Sequence, residues 1–552
     1  MSLHPQPSTP VPPQTRQIAQ AAFPHGNRYL QLRDTLGTLY DDALFADLFP
    51  PRGQAAQAPW QLAVVTLLQF AENLSDRQAA DAVRSRIDWK YLLGLELTDP
   101  GFDFSILSEF RQRLVAGKAE ERLLHHLLVC CQDHQWLKAG GKQRTDSTHV
   151  LARVRDMNRL ECVGETMRFT LNNLATLLPD WFARPLQPEW AARYGPRTEE
   201  YRLPHTKPQR LAYAQQVGQD GWWLLEQIAA DPQAALLWQL PAIDILRRVW
   251  LQQFRVVDGQ LTWRVENQDE LPPSAQLISS PYDVEARFSR KRTTTWVGYK
   301  VHLTETCEAD QPHLITQVAT TVSTEGDSDT LPQIHQGLAE KSLLPSQHLV
   351  DTGYMSAQLL VQSQEIHHVD LVGPARRDQK WQALAGQGYA AADFQVDWAN
   401  QQATCPQGHT SHSWFHTREN GQPRVFIKFS RKQCGPCPVR PSCTRMKRRG
   451  IKLRADAQYQ ALQAARARDS QADWPLLYNQ RAGIEGTLSQ GVRGFGMRRS
   501  RYMGLAKTHA QHLFIATAMN LWRIVNWLNE VPLAQTRQAA FERLMPPAVG
   551  MG

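Results

Sequence analysis

QRTDSTHVLARV, residues 143–154, interrupts a helical pattern that runs from about Tyr29 to Leu137. Thr and Val are stiff at χ1 and pack well on a pleated surface, so this run reads as a strand carrying Asp146 near its start. Before it, PWQLAVVTLLQFAENLSDRQAADAV (59–83) spaces apolar residues for a helix, with Asn73, Ser75 and Asp76 as a break and cap. DFSILSEFRQRLVAG (103–117) predicts a second helix capped at Ser105.

Residues 157–275 return to helix, rich in Trp and Leu. WVGYKVHLTET (296–306) and HLITQVATTV (313–322) read as a strand pair, and 326–340 as a helix. HLVDTGY (348–354) is a strand ending at an acid, and HVDLVG (368–373) another. Three strands, a helix, a strand, a helix and a strand make a mixed α/β sheet. The block 157–275 is then an insertion after the first strand.

The chain has 552 residues, room for several domains, and its 42% hydrophobic and 21% charged content is that of a globular protein. A net charge of +8 and pI near 9.1 favour an anionic partner. Residues 1–27, rich in Pro and Gln, lack an apolar signal-peptide core and predict a flexible tail. The most apolar run, Leu513–Trp522, is short and broken by Thr517 and Asn520, so no membrane span is expected. These features predict a cytoplasmic protein.

YNQRAGIEGTLSQGVRGFGMRRSRYMG (478–504) contains one acid, Glu485, and the next carboxylate is Glu530. Arg493, Arg498, Arg499, Arg501 and Lys507 fill the space between. Arg481 and Tyr478 fall on the Glu485 face of a helix. Asp146 and Asp351, at strand ends, are plausible spatial neighbours. Carboxylates that converge repel one another unless cations intervene, and Mg²⁺ favours such hard oxygen ligands. Two such ions suit phosphodiester displacement, and Arg suits the phosphates. The rival acids Asp327 and Asp329 read as helix caps, and His149 and His302 as interior histidines. Arg287, Arg290, Lys291 and Arg292 form a basic cluster that reads as DNA-backbone contact, with a solvated loop as the alternative.

Tyr478-x2-Arg481-x3-Glu485 resembles the signature helix of DDE transposases of bacterial insertion sequences, the group marked by a Tyr-Arg-Glu-Lys pattern. RTDSTHV (144–150) resembles their first-Asp strand, HLVDTGYMS (348–356) their second-Asp segment, and GYKVHLTETC (298–307) a further stretch. The run from GIEGTLSQGVRGFGMRRSRYMGL to KTHAQHLF is similar to members with a Cys-rich insertion before the Glu. One departure is local: the family Lys falls near Val492, with Arg493 beside it.

The resemblance implies an RNase H-like catalytic core with a helical insertion and a Cys-rich insertion, preceded by an all-α N-terminal domain. It implies Asp146, Asp351 and Glu485 as ligands of Mg²⁺ or Mn²⁺, two ions in all. Tyr478, Arg481 and Arg493 would contact the DNA end, with Arg498, Arg499, Arg501, Lys291 and Arg292 on its track. The reaction implied is hydrolysis that frees a 3′-OH at the element end, followed by its attack on target DNA. Double-stranded DNA, as terminal inverted repeats and target, is the implied partner, and synapsis of two ends implies a homodimer. A catalytically silent DNA-binding regulator and a nuclease of the same fold without strand transfer are the alternatives.

TCPQGH…CGPCPVRPSC supplies Cys405, Cys434, Cys437 and Cys443, with His409 nearby. Four thiolates suit tetrahedral Zn²⁺ or an iron–sulfur cluster, and free thiols are the third reading. Between Glu419 and Asp456 no acid occurs among eleven Lys and Arg, which reads as a DNA-backbone surface. The expected organisation is a tail (1–28), a helical DNA-binding or dimerisation domain (29–140) and a catalytic domain (141–530). Insertions fall at 157–280 and 376–472, and a C-terminal tail at 531–552.

Overall fold

A computed structural model describes residues 2–5, 10–265, 271–384 and 389–532. The strand expected around Asp146 spans Lys142–Leu151 and lies inside a six-stranded mixed sheet. On one side it pairs antiparallel with Thr294–Thr306, the longest strand, which in turn pairs with Ile315–Val322 and with Arg287–Lys291. On the other side it pairs parallel with Gln347–Leu349, which pairs parallel with Asp370–Val372. The chain is thus mixed α/β, with the strands in the order expected. The strand before Asp351 is shorter than expected. Its end is set by Asp351 itself, whose carboxylate accepts a 2.8 Å hydrogen bond from the Gly353 amide and turns the chain into a 3₁₀ turn.

Helix Leu505–Leu528 packs against the edge strand Ile315–Val322. Asn520 takes both backbone groups of Ile315, accepting from its amide and donating to its carbonyl at 2.8 Å each. A side chain thereby satisfies polar groups that a bare sheet edge would expose. Asp283 and Glu285 accept from the amides of Gly504 and Leu505, where the helix N-terminus favours negative charge.

The N-terminal helices stack on the other flank of this long helix, so one apolar core runs from Tyr29 through the sheet to Val525. Helix Pro59–Ala71 is buried almost all round, and Ser75 closes a capping box with Gln78 at the next helix. The segment expected as a tail carries helix Pro13–Ala22, held where Val11 and Ala19 pack on Leu30 and Tyr91. The block after the first strand has its own core, from Leu160 to Ile278, and adds a hairpin, Phe254–Val257 with Gln260–Trp263. A third core, around Phe394, Ile427 and Ile451, holds the Cys-rich insertion on a three-stranded sheet. The C-terminal tail beyond residue 532 lies outside the described residues. Among the described residues no helix is long and apolar enough to cross a membrane.

Candidate active site

In the parallel pair, Arg144 stands opposite Leu349. Two residues further along each chain come Asp146 and Asp351, just where the short strand has ended. The same step on both strands sets the two acids side by side. Burial pushes the Asp351 carboxyl up, and the neighbouring Asp146 charge adds to it, against the Gly353 amide bond.

Side chains alternate along a strand, so Arg144, Asp146 and Thr148 share one face. The chain carrying Tyr478, Arg481 and Glu485 lies over it. Arg144 donates to the Gln480 carbonyl at 2.5 Å, and its guanidinium lies so close beneath Gly483 that a Cβ there has no room. Arg481 bridges two of the acids, at 2.9 Å from Asp146 and 2.9 Å from Glu485. Glu485 is otherwise open to solvent, with 63% of its side chain exposed. The expected single helical stripe differs in detail. Trp474–Tyr478 is a short helix, Asn479–Ala482 a 3₁₀ turn, and the helix of Glu485 spans Gly483–Gly494. Tyr478 stacks on Trp474 with planes 5° apart, and the Arg481 guanidinium lies 5.8 Å from its ring centre.

Beneath this site, Glu305 is fully buried between Arg144 at 2.7 Å and Arg523 at 2.6 Å, and it accepts from Thr487 at 2.6 Å. The cluster ties the first strand, the long strand, the Glu485 helix and the C-terminal helix to one point.

Asp327 behaves otherwise than the capping reading expects. The cap position is Gly326, which makes no side-chain cap bond. The Asp327 carboxylate instead accepts from Lys300 at 3.2 Å and from Ser147 at 3.3 Å, and it raises the Asp351 carboxyl further. A fourth acid and a lysine therefore belong to the site. The signal for Lys300 lay within GYKVHLTETC; Asp327 needed the sheet register to be seen. His302 is buried and bonded to the Tyr354 hydroxyl at 2.6 Å, an interior histidine as expected. His149 lies against Trp296.

The basic residues divide. Arg498 donates to Thr148 on the Asp146 strand at 3.0 Å, and residues 498–500 pair with the end of that strand at Leu151. Arg493 and Arg499 are exposed, as are Lys291 and Arg292 at the turn between strands Arg287–Lys291 and Thr294–Thr306. Arg501 is committed to the N-terminal helices: it donates to Leu74 and Asn73 and covers the Phe70 ring.

Cys405, Cys434, Cys437 and Cys443 line one small pocket with His409, and all four are free thiols. Arg449 donates from beneath to the carbonyls of Cys443 and Tyr389. Burial pushes the Cys443 thiol up, and the other three thiols add to this against Arg449. Among the described residues, no three His, Cys, Asp or Glu side chains stand in a metal-holding arrangement, here or at the acids. At the acids, Arg481 fills the gap between Asp146 and Glu485.

Asp146 within its strand, Asp351 just past the end of the parallel one and Glu485 on the helix above gather with Arg481 and Lys300 around them. Residues 404–525 match the family model described as "Transposase DDE domain", and residues 17–113 match "Transposase domain (DUF772)". The chain carries two transposase-family regions, consistent with a DDE transposase of insertion sequences. The first match includes Glu485; neither reaches Asp146 or Asp351. No curated protein and no solved structure matches the chain.

Proposed function

We propose that the chain binds the inverted-repeat ends of its own mobile element and cuts and joins DNA with Asp146, Asp351 and Glu485. The observation that carries this reading is the parallel register that sets Asp146 beside Asp351, with Arg481 reaching from Asp146 to Glu485. The strand order, with one antiparallel long strand inside and two parallel strands beyond the Asp146 strand, supports an RNase H-like core.

The acids offer hard oxygen donors, the chemistry that fits Mg²⁺ or Mn²⁺, with Asp146 and Asp351 as the holding pair and Glu485 as the third ligand. A bound pair of ions would activate the attacking oxygen and stabilise the leaving one. Arg481 supplies a fixed positive charge for the scissile phosphate once it leaves the carboxylates, and Tyr478 offers a hydroxyl beside it. Lys300 holds Asp327 against Ser147, where the Asp327 charge acts on the Asp351 carboxyl. Lys291, Arg292, Arg493, Arg498 and Arg499 would meet the duplex backbone, which positions DNA without reading it. The four thiols fit structural Zn²⁺ in their donor chemistry. A homodimer would bring two ends together.

Incubation with a duplex bearing the terminal repeats, Mg²⁺ and a target plasmid tests this reading. Strand-transfer products are expected. Cleavage without joining would instead mark a nuclease, and end binding without cleavage a regulator.

A further inference from the structure

A cavity of about 560 Å³ opens where the Cys-rich insertion meets the sheet core. One wall is the segment that follows Asp351, from Met355 to Leu360, together with residues 375–380; the other is the insertion's sheet and helix Asp456–Asp469. Met355 lies four residues beyond Asp351, a separation of at most about 14 Å. One wall of the cavity therefore comes near Asp351.

Its lining is strongly cationic. Arg376, Arg377, Lys380, Arg424, Arg454 and Arg466 face it, against the carboxylates Glu419 and Asp378. Glu419 is taken by Lys452 at 2.7 Å and Arg424 at 3.5 Å, and Arg466 donates to the Arg376 carbonyl at 2.9 Å. Arg376, Arg377, Lys380 and Arg454 have no ion-pair partner among the described residues. Burial, and then Arg424, Arg466 and Arg376, push the Arg454 guanidinium down. Like charges held together with fewer carboxylates than cations leave an anion's place open. The same lining carries Met355, Leu360, Leu462 and Tyr459, the last packed against Trp398.

A cationic groove with an aromatic platform is the pattern that holds a single nucleic-acid strand, phosphates on the cations and bases on the ring. We infer that this cleft receives one separated DNA strand as it leaves the three acids, binding its phosphodiester backbone through Arg376, Arg377 and Arg454. The inference rests on the transposase reading for the identity of the strand, while the binding itself is independent of catalysis.

The test uses the full chain and fluorescence anisotropy, with a labelled oligothymidylate and with a duplex of equal length. Asp351→Asn is expected to lose cleavage and keep oligothymidylate binding, so failure of the chemistry and failure of the cleft are read separately. Arg376 and Arg377 are exposed, so the double variant Arg376→Ala/Arg377→Ala leaves the fold intact. It should weaken oligothymidylate about tenfold or more and cut the salt slope by roughly 0.7 per lost contact, with duplex affinity changed less than about threefold. Arg454→Gln should do the same. Unchanged single-strand affinity in the double variant would overturn the inference, as would equal losses on duplex and single strand. Displacement of the oligonucleotide by thymidine monophosphate at equal phosphate concentration would also overturn it, reducing the cleft to a general anion pocket.

Discussion

Arg481 is joined to Asp146 by an ion pair of 2.9 Å. The other terminal nitrogen of the same guanidinium lies 2.9 Å from Glu485, so one side chain fastens the Glu485 helix to the Asp146 strand. Its positive charge sits among the acids where cationic partners of the reaction are expected. In the proposed function the same group would first hold the acids and then face a phosphate.

Arg481→Ala is expected to lower strand cleavage about 10²–10³-fold, the usual loss when one preorganised charge is removed from a site. The exposed Glu485 arm should contribute only about 0–1 kcal/mol to folding, whereas the Asp146 arm, with both side chains mostly buried, should contribute more. Cleavage rate and melting temperature, measured together, separate the two effects.

Glu305→Gln should act on the fold. It removes the charge that Arg144 and Arg523 share in a fully buried place. Leaving buried charges unpaired costs about 3–5 kcal/mol. Urea unfolding followed by Trp fluorescence measures the loss. Cleavage should fall as well, since Thr487 anchors the Glu485 helix to this same carboxylate at 2.6 Å.

Acid should destabilise the chain well above the carboxylate range. Burial, with His367 beside it, brings His335 down to about 4; burial, with His509 beside it, brings His512 down to about 3. Both lie below the ordinary value near 6.5, so the unfolded chain binds protons first. Their stabilising share is complete above about pH 6.5 and drains away as pH falls toward 4 and then 3. At pH 5, about 1.5 units below the unfolded value, each histidine should cost roughly 2 kcal/mol. Melting curves at pH 7.5 and pH 5 check this, and His512→Gln should flatten the difference.

The sheet was legible because its strands announce themselves: β-branched runs at 144–150 and 296–306 and an apolar run ending at Asp351 needed no distant information. Asp146, Asp351 and Glu485 stood out through the motifs around them, and the parallel register brings the first two together. Asp327 was not, because an Asp in the first turn of a helix reads as a cap from local sequence, and only the pairing of the long strand brings Lys300 and Ser147 to it. Arg501 sits in the same acid-free run as Arg498 and Arg499, yet its partners, Asn73 and Leu74, lie more than four hundred residues away in sequence. Charge patterning cannot tell a cation reserved for DNA from one spent on an interdomain contact. Glu305 gave no signal for the same reason: its two arginines come from opposite ends of the catalytic region.

Metal analysis tests the Cys-rich insertion. Purified protein is expected to hold about one Zn²⁺ per chain, the stoichiometry of a four-thiolate site. Cys437→Ser should lose it, and a chelator should lower the melting temperature of the insertion. Four thiols freely titratable in the native, metal-free protein would contradict the zinc reading.

The most direct test of the central claim is single-turnover cleavage of a terminal-repeat duplex in Mg²⁺, comparing the native chain with Asp351→Asn and Glu485→Gln. Cleavage by the native chain and none measurable from either variant is expected, with both still binding the duplex. Cleavage at the native rate by either variant would contradict it.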